Sequence, residues 1–210
     1  YDREIARRPD NDAPQILRRV HQEDFCQALG FTSDAKYEGQ KTHHAQDMAQ
    51  LLVGYATRPI EALGELFQRI ALNYLIGNCD AHLKNYSLLL GEGAAVPAPV
   101  YDLVCTTVYD GHFGGELSRS MGIRIGDHLN IDKVAPSDFV LLARDMRQPK
   151  RVAAKALAEL ADSVEEAFDR AADHGQLRDC PDEAMTLKQR IAEGMAKRIE
   201  VLSAAAETLG

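Results

Sequence analysis

The sequence predicts an α+β fold that is mainly helical, with a short β-hairpin beside one polar loop. Three observations carry that reading. Leu63, Phe67, Ile70, Ala71 and Tyr74 recur at helical spacing and stop at Gly77-Asn78, a pair suited to ending a helix with a residue at positive φ. A tight polar run, Asp80-Ala81-His82-Leu83-Lys84-Asn85, then gives way to the apolar, strand-like stretch Tyr86 to Leu90. Two long amphipathic patterns, 151–172 and 181–209, fill the C-terminal part, each with an apolar stripe at helical spacing.

Composition bounds the function classes. The 210 residues suffice for one domain that buries roughly 70% of its unfolded surface. Hydrophobic residues at 45% and charged residues at 27% are ordinary for a globular protein. No apolar run approaches the ~20 residues a membrane helix needs. With a net charge of −8 and a pI near 5.4, nonspecific attraction to nucleic acid is not the default expectation. Cys26, Cys79, Cys105 and Cys180 form no C-x-x-C pair, so neither a zinc site nor a redox motif is expected. Such scattered cysteines fit a reducing cytoplasm.

Taken in order, residues 1–8 and 15–20 read as two short strands around the turn cluster Pro9-Asp10-Asn11-Asp12. His21 to Leu29 reads as a short helix with Phe25, Cys26 and Leu29 inward and Gly30 at its end. Residues 31–42 are polar and form a loop. His43-His44 does not read as a metal pair, because adjacent helical residues point about 100° apart and few partners are near. A helix from 45 to 55 ends before Arg58-Pro59, and the core helix runs from 60 to 76. Ser87 to Leu90 reads as the first hairpin strand, Gly91-Glu92-Gly93 as the turn, and Val100-Tyr101-Asp102 as the end of the second. The segment 105–115 is Gly-rich and irregular, and Pro136 opens a helix to about Met146. The last two helices pack on the body of the protein as a tail. A dimeric coiled coil is the alternative, though their spacing is not a clean heptad.

The polar loop carries the chemistry. Phosphoryl transfer from ATP needs a carboxylate near the attacking hydroxyl and further oxygens to hold Mg²⁺. Protein kinases supply the first pair from one D-x-x-x-x-N loop. Asp80 and Asn85 have that spacing, and Asp102 stands after the hairpin where a second metal carboxylate belongs. Taken alone, Asp and Asn five residues apart are ordinary Asx-turn formers; the preceding helix, the following strand and Asp102 lift the pattern above that. Asp80 is then the general base or hydroxyl-orienting group. Asn85 and Asp102 are the Mg²⁺ ligands, suited to a hard cation. His82 and Lys84 are placed to neutralise phosphate charge, and Lys84 has a structural alternative.

The segment IGNCDAHLKNYSLL (76–89) resembles the I-G-x-x-D-x-H-x-K-N-x-S block of HipA-type serine/threonine kinases, toxins of bacterial toxin–antitoxin pairs. Further blocks are HQEDFCQALG (21–30), KYEG (36–39), VYDLV (100–104) and SMGIRIGD (120–127). The resemblance implies a protein-kinase-like large (C-terminal) lobe, with 1–20 as hinge and short strands, 21–133 as catalytic core and 134–210 as helical tail. Tyr1-Asp2-Arg3 is similar to the family's interlobe hinge, so the N-terminal lobe is expected outside these residues. No Gly-rich nucleotide loop or phosphate-binding strand lysine is present in the chain, so weak or absent ATP binding is expected of these residues alone. The resemblance also places Tyr1, Gln22, His82 and Tyr101 against the nucleotide; a strand aromatic, a solvated helix start and a buried tyrosine are the plain alternatives for Tyr1, Gln22 and Tyr101. Arg119 and Arg124 fall in a substrate-docking region, with solvated surface arginines as the alternative. ATP, Mg²⁺, a protein substrate and a DNA-binding antitoxin follow as implied partners, with DNA reached mainly through the antitoxin. The rival readings are a small-molecule kinase of the aminoglycoside or choline type, and a non-catalytic antitoxin-binding module. The 21–30 and 120–127 blocks favour the HipA-type reading over the former.

Overall fold

The computed structural model describes residues 3–6, 16–91, 93–109, 117–174 and 181–210. These are mainly helical, with small antiparallel sheets. β1 (Arg3–Ala6) and β2 (Ile16–Arg19) pair as the expected hairpin, Arg3 opposite Arg19. Tyr1 lies outside the described residues.

The first departure follows at once. The expected helix over 21–29 is instead a strand, β3 (His21–Asp24), and a single turn of helix, α1 (Phe25–Ala28). β3 adds to the edge of β4 (Ser87–Gly91), His21 opposite Leu90 and Asp24 opposite Ser87. A polar segment with no alternation of its own takes strand geometry because a distant edge supplies the ladder. Asp24 is the N-cap of α1, its carboxylate accepting from the Gln27 amide at 2.8 Å.

α2 (His44–Tyr55) and α3 (Pro59–Ile76) form the first helical layer. Pro59 opens α3, where its missing N–H costs nothing. Leu63, Leu66, Phe67, Ile70, Ala71, Tyr74 and Leu75 on α3 are all buried, each large one contributing ~1.5–3 kcal/mol through lost apolar surface. Gly77 ends the helix at φ 77°. A Cβ there would also lie 2.3 Å from Thr107 Oγ1, so both backbone conformation and space require glycine.

β4 pairs with β5 (Ala94–Pro97), Leu88 opposite Pro97. The second hairpin strand therefore ends well before Asp102, a further correction to the expected Val100-Tyr101-Asp102 terminus. Pro97 and Pro99 lack N–H groups to extend the ladder, and Asp102 sits in irregular chain. β6 (Ser120–Ile125) and β7 (His128–Asn130) form the last hairpin. Buried Asp138, on α4 (Pro136–Asp145), accepts from the Asp127 and Ala135 amides at 3.0 and 2.8 Å and meets His128 Nδ1 at 3.0 Å. That carboxylate ties the hairpin to the helical body.

α5 (Lys150–His174) and α6 (Pro181–Leu209) pack on each other, and α6 also meets α4 and α3. The buried stripe of α5 is Ala153, Ala156, Leu157, Ala161 and Val164, whereas Val152 is exposed. Small residues on that face let the helices approach closely, which a scan for large apolar residues misses. Met195, Leu202, Ala205 and Leu209 answer from α6. Among the described residues, the buried stripes of α5 and α6 thus face each other and the rest of the helical body. No helix among the described residues is long and apolar enough to cross a membrane.

Candidate functional site

The site grows from the end of α3. Asn78, 3% exposed, follows the cap and makes three side-chain hydrogen bonds. Its Nδ2 donates to Asn73 Oδ1 at 2.8 Å and to the Asp102 carbonyl at 3.2 Å, and its Oδ1 accepts from the Asp80 amide at 3.1 Å. Asn73 in turn donates to Tyr86 Oη at 3.1 Å and to the Arg69 carbonyl at 3.0 Å. One buried amide therefore joins the backbones that carry Asp80 and Asp102. Sequence reasoning took Asn78 for a turn former alone.

Asp80 and Asp102 are exposed at the surface of this joint. Asp102 holds φ at 57°, a left-handed conformation that strains a residue with a Cβ and clusters at functional positions. Asn85 Nδ2 donates to Asp102 Oδ2, and Asn85 Oδ1 accepts from the His82 amide at 3.0 Å. The Asn85 amide and the Asp102 carboxylate thus stand together at an exposed edge, the amide NH2 turned to the carboxylate and the amide oxygen to the His82 N–H with one lone pair to spare. That pair fits Mg²⁺, which binds through one or two protein oxygens and completes its shell from phosphates and water. Among the described residues no group of three or more His, Cys, Asp or Glu could hold a metal ion, so a cage made of protein alone is not what the site offers.

Tyr37, absent from the sequence-derived candidates, is part of this surface. Its hydroxyl donates to Asp80 Oδ1 at 2.5 Å. That bond, with burial and the Asp80 charge, pushes the phenol up to about 12. The Tyr37 ring stands edge-on to His82, centroids 4.9 Å apart. His82 is 7% exposed and its Nδ1 has no hydrogen-bond partner. Burial, then the nearby Lys36 charge, pushes the imidazole below its usual range, so near pH 7 it offers a hydrogen bond rather than a positive charge. The signal for Tyr37 was the KYEG block, whose tyrosine received no role.

The remaining predicted residues divide. Lys84 Nζ lies 3.8 Å from Asp24, beside the α1 cap, in line with its structural alternative. Tyr101 Oη donates to the Lys84 carbonyl at 2.6 Å and lies 2.5 Å from Ser87 Oγ; it buttresses the loop from irregular chain rather than from a strand. Gln22 sits in β3 opposite Leu89, at the sheet that borders the loop. Arg119 chelates Asp132 through Nε at 2.8 Å and Nη2 at 2.6 Å. Arg124 is bound to Glu38, whose carboxylate accepts from the Arg124 amide at 2.7 Å and from Nε at 3.3 Å. Burial pushes the Glu38 carboxyl up, and Arg124 offsets part of that. Both arginines are engaged within the chain, Arg124 holding 38–39 against β6.

β6 reaches the loop at Gly122. A Cβ there would lie 2.5 Å from the Ala81 carbonyl oxygen and 2.7 Å from the His82 nitrogen, so only glycine lets strand and loop backbones touch. Thr106 pins the other flank, accepting from the Cys79 amide at 2.9 Å and donating to the Gly77 carbonyl at 3.1 Å. Between them lies a cleft of about 560 Å³ lined by Tyr37, Asp80, Thr106, Ser118 and Met121. It is large enough for a side chain bearing a hydroxyl. The arrangement can orient that hydroxyl at Asp80 while the Asn85–Asp102 pair stands alongside.

The chain is similar to known proteins in sequence and in fold. The family model described as "HipA-like C-terminal domain" matches residues 1–168. Y4mE of Sinorhizobium fredii, whose name assigns it provisionally to the kinases, is 32% identical over 159 residues, 76% of this chain and 37% of its own length. The serine/threonine-protein kinase toxin HipA of Shewanella oneidensis is 26% identical over 164 residues, 73% of this chain and 36% of its own length. A solved structure of the Shewanella oneidensis toxin–antitoxin system, HipA with HipB and operator DNA, superposes with a TM-score of 0.66 at 22% identity, covering 99% of this chain and 47% of that one. The chain thus spans a little over a third of the length of these curated relatives.

Proposed function

Because the chain belongs to the HipA-like C-terminal domain family, we propose that it is the kinase-like large lobe of a Mg²⁺-dependent serine/threonine protein kinase. The observation that carries this is the joint at Asn78, which links Asp80 to Asp102 and so sets the candidate base beside the Asn85–Asp102 pair.

In this reading Asp80 accepts the proton of a substrate serine or threonine hydroxyl as its oxygen bonds to the γ-phosphorus of ATP. The bond from that phosphorus to the bridging oxygen breaks, and ADP leaves with the electron pair. Tyr37 holds the Asp80 carboxylate in one orientation through its 2.5 Å hydrogen bond. Lys84 and neutral His82 face the phosphates, and Gln22 and Tyr101 border the nucleotide. Mg²⁺, held with ATP by Asn85 and Asp102, would supply charge neutralisation at the phosphates. The cleft toward Ser118 and Met121 receives the substrate, and Arg124 acts on it through Glu38, which lines the same cleft. The names of the relatives, a kinase toxin and a toxin–antitoxin complex on operator DNA, support a toxin role and a DNA-binding antitoxin as partner, with DNA reached mainly through that partner.

The test uses the protein carrying this chain, with Mg²⁺ and γ-labelled ATP, beside Asp80→Asn and Asp102→Asn. Label transferred by the wild type and lost by at least ~10²-fold in both variants is the expected result. Transfer unchanged in either folded variant overturns the role given to that carboxylate.

A further inference from the structure

A second cleft, of about 390 Å³, lies where α6 faces the 106–109 turn and the chain around Asp132. Among the described residues its lining carries Arg119, Arg190, Lys197 and Arg198 against one carboxylate, Asp132. A chain of net charge −8 gathers cations in this way against its own average.

Arg198 is the informative member. It is 7% exposed and its Nε donates to the Leu75 carbonyl at 2.8 Å, near the end of α3. Its buried Nη2 has no hydrogen-bond partner. A Cβ on Gly77 would lie 2.8 Å from this Nη2 and 2.3 Å from Thr107 Oγ1, and a Cβ on Gly194 would lie 3.0 Å from the same nitrogen. Two glycines thus make room for one guanidinium, and Thr107 brings a hydroxyl to the same point. A buried guanidinium with an unmet donor and no carboxylate in ion-pair reach is costly unless an anion joins it. Exposed Lys197 stands at the rim, and Arg119 is held in a fixed orientation by Asp132.

We propose that this pocket binds a phosphate group, as inorganic phosphate or as a phosphomonoester, with Arg198 Nη2 and Lys197 as its donors. Several converging cations suit a dianion with three acceptor oxygens, and a guanidinium suits phosphate geometry in particular. The site is separate from the Asp80 loop but shares its frame. The amides of Thr106 and Thr107 donate to the Gly77 carbonyl at 3.0 and 3.2 Å. An anion held between Arg198 and Thr107 therefore clamps the chain after Asp102 onto the loop that carries Asp80.

Calorimetric titration of the 210-residue chain with inorganic phosphate, and separately with phosphothreonine, at constant ionic strength tests this. Saturable binding of one or both is expected, with Kd raised about tenfold or more by Lys197→Glu, as loss of a charge-assisted contact implies. Lys155→Glu, the same charge change on α5, leaves Kd unaltered. Preference for phosphothreonine assigns the site to a phosphorylated side chain, and preference for inorganic phosphate to the free ion. No saturable binding of either ligand overturns the proposal. So does binding that survives Lys197→Glu or that is lost in Lys84→Gln, which would put the phosphate at the Asp80 loop.

Discussion

Replacing Asn78 by alanine removes a buried side chain that hydrogen-bonds the backbones of both candidate segments. Three hydrogen bonds disappear, to Asn73, to the Asp102 carbonyl and from the Asp80 amide. At about 1 kcal/mol net for each bond, and about 1 more for the Asn73 oxygen left buried without a donor, the loss is ~3–4 kcal/mol. Asn78→Asp keeps the volume but turns the donor into an oxygen facing two oxygens, so its loss is at least as large. Urea unfolding of the chain at 25 °C measures this, with the slope against denaturant unchanged if both states keep their compactness. Phosphotransfer by the protein carrying the chain falls by about 10²-fold in either variant, because a displacement near 1 Å at a catalytic group costs that much. A stability loss below ~1 kcal/mol with full activity would show that Asp80 and Asp102 are positioned by something other than this amide.

Other consequences are nearer the surface. Tyr37→Phe lowers the phosphotransfer rate by about 10- to 100-fold with KM for ATP unchanged, since a hydrogen bond to a charged group is worth roughly 1.5–3 kcal/mol; an unchanged rate would deny Tyr37 its orienting role. Gly122→Ala drives a Cβ into the Ala81–His82 backbone and destabilises the chain by ~1–3 kcal/mol, read by thermal unfolding, with activity reduced as the loop shifts. Burial lowers the folded-state pKa of His44 and, with Lys36, that of His82. The unfolded chain then binds more protons as pH falls below ~6.5, so stability is full above that pH and declines toward the lower folded values. His44→Gln flattens the fall in Tm between pH 7.5 and 5.5; an equal fall in the variant would exclude His44 as a contributor.

What the sequence could show depended on whether neighbours in space were neighbours in the chain. α3 and its stop at Gly77 were legible, because helical periodicity and a left-handed cap are local facts. So was the Asp80–Asn85 spacing, and the position of Asp102 after a hairpin. The strand at His21–Asp24 was not, since its cause is the edge of β4 some 65 residues away. Asp102 was placed at a strand end on the count of residues alone, whereas Pro97 and Pro99 had already ended the ladder. The roles of Tyr37, Asn78 and Gly122 were not legible, for one reason. Each acts through a contact with a distant segment, and nothing in its own flanking sequence distinguishes a tyrosine on Asp80 from a tyrosine in a loop.

The division of labour across the site has its own consequence for mutation. Asp80 and Asp102 are exposed, whereas the groups that position them, Asn78, Asn73, Tyr86 and Gly122, are buried. Exposed carboxylates contribute little to folding, and Asp102 carries backbone strain besides. The buried amides and the strand contact at Gly122 hold the strained geometry in place. Substitutions at Asp102 should therefore shift stability within about 0.5 kcal/mol while removing activity, and substitutions one layer below should remove both. A chain whose Asp102 proved as costly to replace as Asn78 would have its stability and its chemistry in the same residues, and the layered construction argued from Asn78 and Gly122 would be wrong.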